Sequence, residues 1–217
     1  MTSIVLADDH ELIRESVASL LREVPNFHIV SQCINGRQLI KSVDRFHPNV
    51  VITDISMPEL NGVEAVKQIR KISPATRIIA LSIYIDEVYI KNMIDAGVSG
   101  YVVKSGAARD LIEAIRNGSR GKLFFSSTIE AVAAKIQNSK NNNKKVSLVT
   151  KHMLTTRERE VLQLIGEGFS STEIGLKLNI SVTTVKTHRN NLMDKLDVRD
   201  IAGLTRHSIR LKLVNVE

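Results

Sequence analysis

Asp8, Asp9, Asp54, Ser82 and Lys104 each follow directly on a short apolar run: SIVLA before the acidic pair, VVIT before Asp54, RIIAL before Ser82 and GYVV before Lys104. A carboxylate beside an apolar strand is costly unless something pairs with it. Three close carboxylates repel one another and call for a cation, and an all-oxygen site with open water positions suits Mg²⁺ better than zinc. A carboxylate can also act as a nucleophile toward phosphorus and form an aspartyl phosphate. A metal and a lysine would neutralise the transferring oxygens, and Ser82 would bond the new phosphoryl group. Each residue has a plainer role when taken singly. Asp8 or Asp9 can cap a helix, Ser82 can bond a local backbone group, and Lys104 can be a solvated charge. Four of five strand ends carrying complementary parts of one phosphoryl-transfer site favour the chemical reading.

The elements that must position these groups are five βα units. The apolar runs SIVLA, HIVSQC, VVIT, RIIAL and GYVV alternate with helical patterns over Leu12–Val24, Gly36–Phe46, Gly62–Ile72, Glu87–Ala96 and Ala108–Asn117. Runs of continuous apolar character imply burial on both faces, hence a doubly wound, five-stranded parallel sheet of flavodoxin-like type covered by helices. In such a sheet, function gathers beyond the carboxyl ends of the strands. After GKLFFSS a short helix is expected over Thr128–Gln137, then a flexible, basic linker, NSKNNNKKVS. From Leu154 the pattern is purely helical.

The acidic pair, the DxxMPxxxG loop that begins at Asp54, the serine and the lysine resemble the receiver domain of two-component response regulators, over about residues 1–120. The resemblance implies that Asp54 accepts phosphate from a sensor histidine kinase. It further implies that Asp9 and Asp54 ligate Mg²⁺ with the backbone carbonyl of Ser56, that Asp8 acts mainly through water, and that Lys104 binds the phosphoryl group. The family couples its Ser/Thr to an aromatic residue of the fifth strand, and Tyr101 holds that position. His10 receives no chemistry and is expected to begin the first helix.

In the second half, Thr155 and Ser170 each precede a glutamate by three residues, the spacing of a capping box, and Ser181 can cap a third helix. On that helix Val185, Leu192 and Leu196 recur near the helical period, while Thr183, Lys186, Thr187 and Asn190 share another face. The short NIS turn before it fits a small all-α helix-turn-helix domain whose second helix enters the major groove of DNA. The LTxREREVL opening and the TVKTHRxNLMxKL helix resemble the LuxR-type output domain, and with a receiver upstream they mark the NarL/FixJ class. Thr156 stands where that pattern usually has proline, and Gly175 where it has alanine. The implied domains are a receiver at 1–120, a linker at 121–150 and a DNA-binding domain at 151–217. The candidate DNA contacts are Thr183, Thr184, Lys186, Thr187, Arg189 and Asn190, with Arg189 on phosphate, and the final helix, about Asp200–Leu211, is expected to support a homodimer on paired promoter half-sites.

Composition narrows the alternatives. The excess of Lys and Arg over Asp and Glu is +1 over residues 1–125 and +3 over each of 126–150 and 151–217, which suits a polyanion partner for the second half. No apolar run approaches the roughly 18 residues of a membrane span. A single cysteine and a first strand that begins almost at the N-terminus point to the cytoplasm. A haloacid-dehalogenase-type phosphatase would want a second acid two residues after Asp54, where this chain has Ser56; the pattern therefore predicts a regulator rather than an enzyme. A LuxR-type ligand sensor would need an acyl-binding pocket in place of the receiver acids.

Overall fold

The computed structural model describes residues 1–142 and 154–214, the side chains of 137–142 excepted. They form two compact units, one within residues 1–144 and one within 145–217.

In the first unit the elements run β1 (Thr2–Ala7), α1 (Glu11–Arg22), β2 (Phe27–Cys33), α2 (Gly36–Phe46), β3 (Val50–Thr53), α3 (Gly62–Ile72), β4 (Arg77–Ser82), α4 (Glu87–Ala96), β5 (Gly100–Val103) and α5 (Ala108–Ser119). A short β6 (Phe124–Phe125) and a helix α6 (Ser127–Asn142) complete it. The sheet is parallel, in the order β2-β1-β3-β4-β5-β6. It has six strands rather than the five expected, because Phe124 and Phe125 pair with Gly100 and Tyr101. Two residues are too few to carry a strand period, so nothing in the local pattern distinguishes them from a loop.

Alternate strand residues face opposite sides, and both sides are buried. Val5, Val51, Ile78, Ala80 and Tyr101 lie in one core cluster, and Ile4, Leu6, Val50, Ile52, Ile79 and Leu81 in the other. The helix expected over Thr128–Gln137 begins one residue earlier and its backbone continues through Asn142, into the segment read as flexible linker. Its Ile129, Ala133 and Ile136, spaced at the helical period, are buried in the first cluster. Each of those isoleucines contributes about 1.5–3 kcal/mol, which makes α6 an integral part of the first unit. The rest of the expected linker, 143–147, lies outside the described residues.

The second unit contains α7 (Thr156–Gly166), α8 (Ser171–Leu178), α9 (Val182–Leu196) and α10 (Ile201–Arg210). Both expected capping boxes form, Thr155 with Glu158 and Ser170 with Glu173, and the Ser181 side chain accepts from the Thr184 N–H. Val161, Leu162, Ile174, Val185, Leu192 and Leu204 make its core. Gly175, which stands where alanine is usual, has a close neighbour: a Cβ there would lie 2.9 Å from the Ile180 carbonyl oxygen, where the turn folds back over α8.

Glu158 ties α7 to α9. Its carboxylate accepts from the Thr155 N–H at 2.8 Å and lies 2.7 Å from Lys195 Nζ. Burial works against its charge, but Lys195 and the Thr155 donors outweigh it and hold the carboxyl below the usual glutamate range. A depressed folded pKa contributes stability that is present above the unfolded value near 4.5 and lost as pH falls through the lower folded value. Glu158→Gln is therefore expected to cost about 1–3 kcal/mol at neutral pH. The gap to wild type should close as pH drops below that point. Urea unfolding followed by helical circular dichroism over a pH series checks this, and a pH-independent gap would refute it.

Candidate functional site

The sheet order brings the chemical groups to one rim. β1 and β3 are neighbours with Ala7 opposite Thr53, so the residues that follow them, Asp8 and Asp54, emerge side by side. β4 and β5 are neighbours with Ser82 opposite Val103, which sets Lys104 against the end of β4, where its N–H donates to the Ser82 carbonyl at 2.8 Å.

Lys104 Nζ bridges the carboxylates, 2.7 Å from Asp54 Oδ2 and 2.7 Å from Asp8 Oδ2. Asp54 Oδ1 accepts from the Ile55 N–H at 2.6 Å. Burial pushes the Asp54 carboxyl above its ordinary range, Lys104 pulls it back, and Asp8 adds to the rise. Burial also draws the Lys104 ammonium down, but Asp54 and Asp8 together lift it above the usual lysine value. The DxxMPxxxG loop closes on Asp54 through Gly62, whose N–H donates to the Ile55 carbonyl and whose missing Cβ would lie 2.0 Å from the Asp54 carbonyl oxygen. The glycine of that loop is a packing requirement.

Asp9 is exposed at the mouth of the site. His10, to which sequence reasoning gave no chemistry, is the N-cap of α1, and its Nδ1 lies 3.1 Å from Asp9 Oδ1 and 3.3 Å from Asp8 Oδ1. Atoms able to ligate a metal on Asp8, Asp9, His10 and Asp54 all lie within 4.8 Å of one another. Nothing in the residue pattern separates a helix-capping histidine from one leaning on an acidic pair.

These residues fit a divalent cation. Three carboxylates and one ammonium leave two negative charges at the rim. Asp8 Oδ2 is buried and has the charge of Lys104 beside it, yet it has no well-aligned hydrogen-bond donor. A predominantly oxygen donor set is that of a hard cation.

Ser82 and Tyr101 meet at the backbone of Tyr84. The Tyr84 N–H donates to Ser82 Oγ at 3.2 Å, and the Tyr101 hydroxyl donates to the Tyr84 carbonyl at 2.5 Å. Tyr101 is fully buried, and burial pushes its phenol well above the usual tyrosine range. Tyr84 stacks on Tyr89 at 4.1 Å between ring centres, and its hydroxyl bonds the Ser56 side chain, so this pair flanks Asp54.

In the second unit, Thr183, Lys186, Thr187 and Asn190 are all exposed along α9, opposite buried Val185 and Leu192. Thr184 is also exposed, but both its N–H and its hydroxyl are engaged with the Ser181 cap. Arg189 is half-buried and one arm of its guanidinium donates to Ser171 Oγ, at the first residue of α8, at 2.7 Å. Among the described residues, no helix is long and apolar enough to cross a membrane.

Comparison with known proteins agrees with both units. Residues 4–116 match the response regulator receiver domain, and residues 152–208 match the bacterial regulatory proteins of the luxR family. The transcriptional regulatory protein DegU of Brevibacillus brevis is 33% identical over 224 residues, covering 98% of this chain and 95% of its own. The response regulator protein VraR of Staphylococcus aureus is 34% identical, with 91% of each chain covered. Among solved structures, RcsB of Salmonella enterica serovar Typhimurium, bound to a promoter in the presence of the phosphomimetic BeF3⁻, is 28% identical with a TM-score of 0.58, covering 95% of this chain and 97% of that one. An acid-and-lysine rim on a parallel sheet, a helix-turn-helix unit after it, and relatives matched over nearly their whole length place this chain among the DNA-binding response regulators of two-component systems, in the NarL/FixJ class that joins a receiver to a LuxR-type domain.

Proposed function

We propose that this protein is a cytoplasmic transcriptional regulator whose DNA binding is switched by phosphorylation of Asp54, and that it is not an enzyme with an external product. The observation that carries the reading is the single contact network of Lys104, Asp54 and Asp8 at the carboxyl end of the sheet. Asp54 would attack the phosphorus of a phosphohistidine on the partner kinase. The new P–O bond forms as the P–N bond breaks, and the electron pair leaves with the imidazole nitrogen. Asp8, Asp9, Asp54 and the Ser56 carbonyl would hold Mg²⁺, which supplies charge neutralisation for the transferring oxygens. His10 stands close enough to orient Asp9.

Lys104 is held by two carboxylates before phosphorylation, and a phosphoryl group on Asp54 would compete for its ammonium. Ser82 would turn to the same group and release the Tyr84 N–H. Tyr84 is also held by Tyr101, so this change reaches β5, whose Tyr101 backbone carbonyl accepts from Ser126 beside β6. Moving a population from 1:99 to 99:1 requires about 5.5 kcal/mol of differential stabilisation. One phosphoryl group and a new homodimer contact would together have to supply it. Thr183, Lys186, Thr187 and Asn190 would read promoter DNA while Arg189 anchors the helix on phosphate. A receiver at 1–120, extended by β6 and α6, would take the phosphoryl group, and a DNA-binding domain at 151–217 would bind the promoter.

Incubation with Mg²⁺ and acetyl phosphate, read by intact-protein mass, tests the first step. Wild type should gain one phosphoryl group, and Asp54→Asn or removal of Mg²⁺ should abolish the gain. An unmodified wild type would count against the proposal.

A further inference from the structure

We infer that Arg14 is a positioning residue for the cation site: it fixes the peptide unit between Asp8 and Asp9 and so sets the direction in which Asp9 faces Asp54. The inference rests on the reading of these acids as a cation site given above. Arg14 sits in the first turns of α1, half-buried, and its Nη1 donates to the Asp8 carbonyl at 2.9 Å. That carbonyl belongs to the peptide plane joining Asp8 to Asp9, so holding it fixes the rotation of the bond from which the Asp9 side chain departs. The other side of Asp8 is held as well. Its N–H donates to the Cys33 carbonyl at 3.1 Å, and its Oδ1 accepts from the His10 N–H at 3.0 Å. Asp8 is therefore anchored at its N–H and its side chain by β2 and the loop, and Arg14 supplies the remaining anchor, at the carbonyl. Asp9 is exposed, and without that anchor its carboxylate is placed only by its chain neighbours.

The sign of the effect separates positioning from charge. A guanidinium near an acidic pocket repels a cation, so if Arg14 acted through charge alone its neutral replacement would bind a divalent ion more tightly. If it acts by orienting Asp9, the neutral replacement binds less tightly, by about tenfold or more, as is usual when a residue supporting a ligand is lost. Arg14→Met keeps the aliphatic stem and removes the donor, whereas Arg14→Lys retains a donor on a stem of similar reach.

The experiment is titration of the full chain with Mn²⁺, following the electron paramagnetic resonance signal of the free ion at fixed pH and ionic strength. Wild type, Arg14→Met, Arg14→Lys and Asp9→Asn are compared, with urea unfolding run on each to show that it is folded under these conditions. Wild type is expected to bind one ion, Arg14→Met to bind it about tenfold more weakly, and Arg14→Lys to recover most of the loss. Unchanged or tighter binding by Arg14→Met, alongside lost binding in Asp9→Asn, overturns the role of Arg14 and leaves the cation site standing. Equal losses in the Met and Lys variants also overturn it, since the donated hydrogen bond would then not be the cause. Failure of wild type to bind, or binding by Asp9→Asn equal to wild type, overturns the cation site itself and the role of Arg14 with it. Should Arg14→Met lose its fold, Arg14→Gln, whose amide stops short of the Asp8 carbonyl, takes its place with the same expectations.

Discussion

Lys104→Ala is expected to lower the urea midpoint of the receiver unit by about 2 M in EDTA, and millimolar Mg²⁺ should restore much of that difference. The ammonium lies 2.7 Å from two carboxylates, with side-chain exposures of 7% for Lys104, 1% for Asp8 and 6% for Asp54. Deleting one partner of a buried ion pair strands the other charge and costs about 3–5 kcal/mol. With a urea slope of about 1–3 kcal/mol per molar, that corresponds to the stated shift. The variant also leaves three acids with no lysine between them, which strengthens their demand for a cation. A ligand present at a hundred times its dissociation constant contributes about 2.7 kcal/mol. All three tyrosines of the chain, Tyr84, Tyr89 and Tyr101, fall in the receiver unit and there is no tryptophan, so tyrosine fluorescence reports that unit alone. Midpoints of wild type and Lys104→Ala that Mg²⁺ leaves unchanged would show that these acids do not share an ion. The same variant should still accept a phosphoryl group on Asp54, yet its promoter affinity should no longer rise when it does.

Asp54, Asp8, Ser82 and Lys104 could be recognised from their chain neighbours because each follows an apolar run, and a parallel sheet puts the ends of such runs on one rim. The cap residues Thr155, Ser170 and Ser181 were equally visible, since capping is a local contact between residues three apart. Contacts that depend on tertiary or loop geometry left no such trace. Phe124–Phe125 joins the sheet only because β5 offers it a free edge. Arg189 reaches Ser171 across 18 residues, and Arg14 reaches back six to the Asp8 carbonyl, in each case along a side chain whose direction depends on packing. The continuation of α6 through Asn142 contradicts its polar composition. Ile129, Ala133 and Ile136 account for the docking of its first half, since tertiary packing overrides weak helix propensity. The close approach of the Ile180 carbonyl to Gly175 is likewise a contact that the residue pattern does not show.

On α9 the largest expected effects divide by face. Thr183, Lys186, Thr187 and Asn190 lie at i, i+3, i+4 and i+7, all exposed, and the Ser181 cap turns the first of them outward at the leading end of the helix. Lys186 and Asn190 carry donors that match base edges in the major groove, and the Thr187 methyl matches that of thymine. The Thr187 hydroxyl is already turned back to the Thr183 carbonyl at 3.1 Å, which leaves the methyl free to face the groove. A good base contact is worth about 1–3 kcal/mol of discrimination. Lys186→Ala or Asn190→Ala should therefore cut affinity about 5- to 150-fold for sites with the preferred base pair and much less for sites already altered there. Thr184 has its polar atoms committed to the cap, so Thr184→Ala should change helix stability more than base preference. Arg189 differs again. One arm is fixed on Ser171, the first residue of α8, and a backbone phosphate reaching the guanidinium there would also meet a helix N-terminus. Arg189→Ala should weaken every sequence alike and flatten the dependence of log affinity on log salt by about 0.9 per half-site. Binding of the phosphorylated protein to single-base operator variants at several salt concentrations separates these outcomes, and uniform weakening by both Lys186→Ala and Asn190→Ala would show that this face only anchors the helix.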